Sequence, residues 1–139
     1  MMAPNKAAGE ALPPEATRGP PPTMPFNPEY TTAEPSRTEV DGLAGASVIE
    51  FGSAWCGYCR RAAPLVQQAF DRHPDVRHIK VEDGSGRSLG RSFRVKLWPT
   101  LVFLKDGREV SRLVRPTDAS DIAAAMKAID PVGERVPPT

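Results

Sequence analysis

Two cysteines separated by two residues are the side chains best suited to chemistry in this sequence, which reads Cys56-Gly57-Tyr58-Cys59 at this point. A thiolate is the nucleophile in disulfide exchange, and a second thiol three residues on can break the mixed disulfide that forms. An apolar run over residues 47–51 precedes the motif and a helical pattern follows it. We therefore expect the pair at a helix N-terminus, where unpaired amides favour an anion, and assign attack to Cys56 and resolution to Cys59.

The same cysteines also fit a zinc-binding spacing. Thirteen residues separate Cys59 from His73, and four separate His73 from His78. Four such ligands would have to converge on one ion tetrahedrally. Pro74 prevents the helix that would present both histidines on one face, so we expect no metal here. A third interpretation, two incidental buried thiols, stays open at this stage.

The apolar pattern predicts the elements that position the cysteines. Apolar positions from 59 to 72 recur at helical spacing, with Pro64 inside the pattern. A strand over 76–81 and a short helix over 85–93 are predicted next. Strands over 100–104 and 109–114 follow, joined by a turn at 105–108. The last predicted element is a helix capped by Thr117 or Ser120 and stopped by Pro131. Since the first helix can connect parallel strands and the hairpin adds an antiparallel edge, we expect an α/β domain with a central mixed sheet flanked by helices.

The distribution of proline divides the chain into an extension, a domain and a tail. Nine of the 16 prolines lie within residues 1–35, where large apolar side chains are scarce. We expect a disordered Pro-rich N-terminal extension over 1–36, one domain over 37–131 and a flexible tail over 132–139. Phe26 and Tyr30, two aromatic residues just before the domain, are the exceptions that could pack on its edge.

Net charge and hydropathy argue against nucleic-acid and membrane partners. Eighteen basic residues against seventeen acidic ones give a formal net charge of +1 for 139 residues, so no basic field draws the chain to nucleic acid. No segment approaches the about 20 apolar residues that span a bilayer, and we expect no membrane partner. Residues 1–12 carry no apolar run of signal-peptide length, which favours a cytoplasmic location. We expect a monomer.

Several motifs occur together in an order that resembles the thioredoxin family, over about residues 38–130. They are Glu50-Phe51-Gly52-Ser53-Ala54-Trp55-Cys56-Gly57-Tyr58-Cys59, Pro64, Trp98-Pro99-Thr100 and Lys105-Asp106-Gly107. The resemblance implies a thioredoxin fold in which a cis peptide bond precedes Pro99 and faces the cysteines. It also implies a rim where an extended client segment docks. The rim would comprise Trp55, Gly57, Tyr58, Trp98, Pro99 and Thr100.

Glu50 lies where this family usually carries a buried Asp. The resemblance implies that its carboxylate accepts the proton of Cys59, directly or through one water. The alternative is an edge-strand Glu with its carboxylate in water. His78 falls where the family often has a Lys facing that acid, so it is either a titratable partner of Glu50 or a solvated strand residue.

Three residues depart from the commonest family pattern. Tyr58 stands where many members have Pro, and a Gly-Tyr pair between the cysteines resembles disulfide isomerases. Trp98 replaces a smaller aliphatic residue before Pro99. Arg115 takes about the position where a Gly often lets the substrate backbone approach, and we expect its bulk to restrict the clients.

The resemblance implies a thiol–disulfide oxidoreductase that reduces, or alternatively isomerises, disulfides in protein clients. It needs no metal or organic cofactor, and a thioredoxin reductase or glutathione system would supply its electrons. The competing hypothesis is a binding module in which the same fold presents its apolar groove to one partner and the redox state only tunes affinity.

Overall fold

The computed structural model describes residues 30, 34–84 and 87–132 of the chain. The elements there are α1 (Arg37–Asp41), β1 (Ala46–Gly52), α2 (Gly57–Asp71), β2 (Arg77–Glu82), α3 (Ser88–Ser92), β3 (Thr100–Lys105), β4 (Arg108–Val114) and α4 (Ala119–Ile129). The predicted strands and helices are therefore all present, within a few residues of their expected bounds. Most of the predicted N-terminal extension, including Phe26, and most of the C-terminal tail lie outside the described residues. None of the described helices is long and apolar enough to cross a membrane.

One four-stranded mixed sheet organises the described residues. Its strand order is β2-β1-β3-β4, with β1 parallel to β2 and antiparallel to β3, and with β3 antiparallel to β4. Helix α2 makes the crossover that a parallel pair requires, and β3 and β4 form the predicted hairpin. The expectation of a mixed sheet flanked by helices is confirmed.

The two faces of the sheet bury separate apolar clusters, because alternate residues of a strand point to opposite faces. Val48 of β1 packs with residues of α2 and α4, whereas Ile49 and Phe51 pack with Val40 of α1 and Leu89 of α3. Glu50 shares the parity of Val48. This parity places its carboxylate on the α2 side of β1, the side from which Cys59 approaches.

Helix α1 was not predicted from the sequence. Ser36 caps it, because the Ser36 side chain accepts a hydrogen bond from the Glu39 amide at 3.0 Å and the Glu39 carboxylate accepts one from the Ser36 amide at 2.8 Å. This reciprocal pair is a capping box. Its Ser-x-x-Glu spacing is the signal that would have revealed the helix.

The cap of α4 differs from the prediction. Asp118 is the N-cap residue, and its carboxylate accepts a hydrogen bond from the Ser120 amide at 2.9 Å. The assignment of Thr117 or Ser120 as the cap was therefore wrong. An Asp accepts the unpaired amides of a first turn as well as a Ser does and also adds a favourable negative charge.

The hairpin turn depends on backbone that only a few residue types adopt readily. Asp106 and Gly107 both have positive φ, 51° and 81°, as the two-residue turn that matches strand twist requires. A Cβ added at Gly107 would collide with the backbone carbonyl of Asp41. The turn therefore holds β3 and β4 together and lies against the end of α1.

Candidate active site

The two cysteines lie where β1 gives way to α2. Cys56 is the N-cap residue of α2 and its Sγ accepts a hydrogen bond from the Cys59 amide at 3.3 Å. Both are free thiols; Cys56 is partly exposed, while Cys59 is 3% exposed. One thiol thus faces solvent at the helix tip and the other lies one turn inward, as predicted.

This placement shifts the pKa values of the two thiols in opposite directions. Partial burial raises the pKa of Cys56, but hydrogen bonds from the Cys59 thiol and from the Cys59 and Tyr58 amides, together with the charge of Arg115, lower it further, so the net pKa lies below its ordinary value. Burial, followed by the hydrogen bond to Cys56, raises the pKa of the Cys59 thiol to a net value of about 11. At neutral pH the exposed sulfur is therefore the better nucleophile and the buried one holds its proton.

Glu50 lies at the centre of a buried hydrogen-bond cluster beneath the thiols. It is 1% exposed on β1, which has a neighbouring strand on each side, so the edge-strand alternative is wrong. The Oε1 atom of Glu50 lies 2.9 Å from Nε2 of His78, and Oε2 accepts a hydrogen bond from the Tyr30 hydroxyl at 2.9 Å. His78 is 6% exposed and stacks on the Phe70 ring at 4.3 Å. The solvated interpretation of His78 is therefore wrong too, and it pairs with Glu50.

Tyr30 belongs to the site, although nothing in the sequence pointed to this role. Its position before the domain suggested edge packing, but the side chain reaches under the helix tip to contact both Glu50 and the Cys59 thiol. Lys80 lies over its ring, with Nζ 4.4 Å from the centroid. A Cβ at Gly52 would lie 2.6 Å from the Cys59 sulfur and 2.6 Å from the Tyr30 oxygen. Only a glycine at position 52 leaves room for these two groups to meet.

A cavity of about 450 Å³ opens beside the buried thiol, and Tyr30, Ser53, Ala54, Cys59, Arg60, Ala63 and Lys80 line it. The Ser53 side chain is fully buried, and its oxygen has no hydrogen-bond partner among the described residues. A cavity of this size accommodates water, which would satisfy such an oxygen. Water in this cavity would lie beside the Cys59 side chain that lines it.

The residues of the predicted client rim are only partly exposed. Trp55 is 70% exposed and meets Trp98 edge to face, with ring centroids 6.2 Å apart. The Trp98 indole donates a hydrogen bond to Asp83 at 2.9 Å. The bond between Trp98 and Pro99 is cis, as the resemblance implied. Pro99 is buried, however, and Thr100 is 1% exposed with its hydroxyl donating to the Leu97 carbonyl, so assigning the Thr100 side chain to the rim was wrong.

Arginines surround the remaining part of the rim. Tyr58, which is half exposed, has the Arg115 guanidinium 3.9 Å from its ring centroid and the Arg61 guanidinium at 4.7 Å. Arg115 has φ of 50°, in the left-handed region that glycine favours, and its Nε donates to the Trp98 carbonyl at 2.9 Å. Guanidinium groups therefore cover the Tyr58 ring, so this part of the predicted rim is cationic as well as aromatic.

The histidines of the alternative zinc spacing lie with different acids. His73 Nδ1 is 2.8 Å from Asp130 at the end of α4, while His78 pairs with Glu50. Among the residues that the structure describes, no three His, Cys, Asp or Glu side chains are grouped so that they could hold a metal ion.

Comparisons with known proteins agree with this geometry. The sequence model described as Thioredoxin matches residues 28–128. Thioredoxin 2 from Pseudomonas aeruginosa PAO1, solved in its reduced form, is 54% identical in sequence and superposes with a TM-score of 0.67. The superposition covers 73% of this chain and 94% of that one. A thioredoxin of Aspergillus fumigatus is 30% identical over 86 residues, 62% of this chain and 80% of that protein.

A tobacco relative, the H-type 1 thioredoxin of Nicotiana tabacum, is 37% identical over 67 residues, 48% of this chain and 53% of that protein. The chain thus spans about half the length of this relative. The match of the family model extends from before Tyr30 to the last turn of α4 and includes both cysteines and the cis bond before Pro99. The chain therefore belongs to the thioredoxin family, and its dithiol is that of a thiol–disulfide oxidoreductase in the general sense.

Proposed function

We propose that this protein reduces disulfides in protein clients by cycling between the Cys56/Cys59 dithiol and an internal disulfide. The observation that carries the proposal is the different placement of two thiols on one helix turn. Cys56 is partly exposed at the N-cap, where its net pKa is lowered, and Cys59 is 3% exposed, where burial raises its pKa to about 11. An exposed thiolate beside a protonated partner suits a nucleophile and a resolving thiol. Thioredoxins generally act on disulfides and are reduced by reductases, so a thioredoxin reductase or glutathione system is the proposed electron donor.

In the first step, the Cys56 thiolate attacks one sulfur of the client disulfide. A mixed disulfide forms between Cys56 and that sulfur, and the other client sulfur leaves as a thiolate that takes a proton from solvent. Trp55 and the half-buried Trp98 would contact the client next to the bond that breaks. Gly57 and Tyr58 complete this contact surface.

In the second step, Cys59 must lose its proton before it attacks the Cys56 sulfur. The Tyr30 hydroxyl contacts the Cys59 thiol and donates to Oε2 of Glu50, so it can take the thiol proton while it passes its own to the carboxylate. Burial raises the pKa of Tyr30, so the hydroxyl acts as a bridge and does not persist as a phenolate. The new thiolate closes the Cys56–Cys59 disulfide, and the second client thiolate leaves with both electrons transferred to the client.

The insulin-disulfide reduction assay tests the nucleophile. Cys56→Ser should abolish turnover, because the attacking sulfur is gone. Cys59→Ser should still attack but accumulate a covalent complex with the client, which dithiothreitol releases. If Cys56→Ser reduced insulin at the parent rate, the nucleophile assignment would be wrong. A parent protein without turnover that still binds a partner would favour the binding module.

The proton route has a separate test. In Tyr30→Phe, we expect the closing step to slow by about tenfold or more, since a positioned acid or base contributes about 10²–10⁴-fold. The first attack, measured with the neutral reagent 2,2′-dithiodipyridine, should change little. Glu50→Gln should slow the same step, and the double variant should be no slower than the worse single one. Additive losses would show that Tyr30 and Glu50 act independently and would exclude the bridge.

A further inference from the structure

A second pocket lies beside the cysteine motif and shares no lining residue with the cavity next to Cys59. It measures about 220 Å³, and its lining residues are Tyr58, Arg61, Leu65, Arg115, Pro116 and Thr117. Two of these are arginines whose guanidinium groups both lie against the Tyr58 ring. The pocket therefore combines a cationic opening with apolar walls.

Arg115 is held in place by both its backbone and its side chain. Its amide donates to the Pro99 carbonyl at 2.9 Å, and its Nε donates to the Trp98 carbonyl at 2.9 Å. The guanidinium then stacks on Tyr58 at 3.9 Å. Since a guanidinium has five N–H donors and one is used, several stay available in a fixed plane. A side chain fixed this way loses little entropy when an anion binds.

The positive charge in the pocket has no carboxylate partner within the described part of the chain. By contrast, Arg37 pairs with Asp41 at 3.0 Å and Arg112 with Glu109 at 2.6 Å. Arg61 and Arg115 instead share one aromatic ring, which attracts cations but does not neutralise them. The charge of Arg115 also acts on the Cys56 thiolate, but neither guanidinium group has a carboxylate partner in the described residues, and such groups favour a planar anion such as a carboxylate.

We propose that this pocket binds the carboxylate of a Glu or Asp side chain next to the disulfide of a polypeptide client, so that the protein prefers acidic clients. This proposal rests on the reduction of client disulfides proposed above. Tyr58 is two residues from Cys56, so a client whose cystine reaches that sulfur brings its neighbouring side chains to the pocket. Leu65 and Pro116 offer apolar contact to the methylene groups of a Glu, while the two guanidinium groups face its carboxylate.

The test uses three disulfide peptides of one sequence in which the residues flanking the cystine are Glu, Gln or Lys. The measured quantity is the second-order rate constant for oxidation of the reduced protein by each peptide, divided by that for neutral hydroxyethyl disulfide. This division removes any change in the reactivity of Cys56 itself. We expect the Glu peptide to react about fivefold faster than the Gln peptide, and the Lys peptide more slowly still. The preference should weaken as salt is added.

Variants of the arginines test whether the preference for the Glu peptide comes from this pocket. In Arg115→Gln the Glu-to-Gln ratio should fall to about two, and in the double variant with Arg61→Gln to about one. Arg60→Gln is the matched control, because it removes one positive charge from the residue next to Arg61. The Arg60 side chain lies outside the pocket, where its Nη1 donates a hydrogen bond to the Ala54 carbonyl at 3.1 Å. Arg60→Gln should keep the ratio near five.

Two results would overturn the inference while leaving the proposed function intact. One is equal reaction of all three peptides with the parent protein. The other is a loss of preference in Arg60→Gln as large as in Arg115→Gln, which would assign the effect to the overall positive field of the helix tip. A parent protein that reacts with none of the peptides and not with hydroxyethyl disulfide would instead exclude the reductase function itself.

Discussion

At the scale of single residues, the site depends on placing two chemically identical thiols in different surroundings. Cys56 caps a helix and accepts amide hydrogen bonds, whereas Cys59 is buried against Gly52 and Tyr30. Their pKa values separate because amide donors stabilise a thiolate and burial destabilises it. The spacing of the motif predicted which sulfur attacks, but it did not reveal that a tyrosine lies between the second sulfur and Glu50.

The separation of the two pKa values predicts a distinct pH profile for each thiol. The rate of iodoacetamide modification of Cys56 should reach half its maximum below the pKa of a free cysteine, which is about 8.5, because the thiolate is favoured. Modification of Cys59 should stay slow until the pH approaches about 11. Mass spectrometry of the reduced protein resolves the two sites. A Cys56 midpoint at or above that of glutathione, measured in parallel, would contradict the assignment.

At the scale of elements, the end of β1 fixes the distance between the acid and the thiol. Glu50 lies on the α2 face of the strand, and two residues later Gly52 lets the Cys59 sulfur and the Tyr30 hydroxyl approach. The strand β1 itself was readable in the sequence as an apolar run. The arrival of Tyr30 from before α1 was not, because nothing in its neighbourhood has a periodic pattern that would point to this position.

Gly52→Ala should disturb this junction. The added methyl would lie 2.6 Å from both Tyr30 and Cys59, so at least one must move. We expect a loss of about 1–3 kcal/mol in unfolding free energy, as for other overpacked sites, together with slower closure of the internal disulfide. Urea denaturation of the reduced protein and stopped-flow measurement of closure check both effects.

Gly42→Ala is the control for that variant, because the nearest atoms to its added methyl are backbone oxygens at 3.6 Å and 3.7 Å, an ordinary contact distance. Its unfolding free energy should stay within about 0.5 kcal/mol of the parent. Equal stability and equal closure rates for the two alanine variants would show that Gly52 is not needed for the close approach.

At the scale of the whole molecule, the sheet supports the site from two sides. Leu101 of β3 is fully buried in the cluster formed with α2 and α4, and its strand pairs directly with Glu50 on β1. The loop before β3 carries Trp98, whose ring meets that of Trp55 next to Cys56. A single buried layer therefore fixes both the helix that carries the thiols and the loop that faces them.

Leu101→Ala should lower the unfolding free energy by about 2–5 kcal/mol, because it leaves a cavity in this layer. Leu97→Ala is the matched control: it removes the same atoms from a side chain that is 46% exposed, so its effect should be about 0.5 kcal/mol or less. Chemical denaturation of the reduced proteins measures both. Similar losses in the two variants would show that the layer beneath the site does not carry the stability assigned to it.

The sequence by itself determined the order of the elements from β1 onward, the mixed sheet and the placement of Cys56 and Cys59 at a helix tip. These follow from local signals: apolar periodicity, turn residues and the two-residue spacing of the cysteines. Only the tertiary structure decided that Tyr30 and His78 share the Glu50 carboxylate, that Thr100 is buried and that Arg115 lies over Tyr58. These contacts join residues far apart along the chain, so their geometry depends on how strands and loops pack and not on any pattern within one segment.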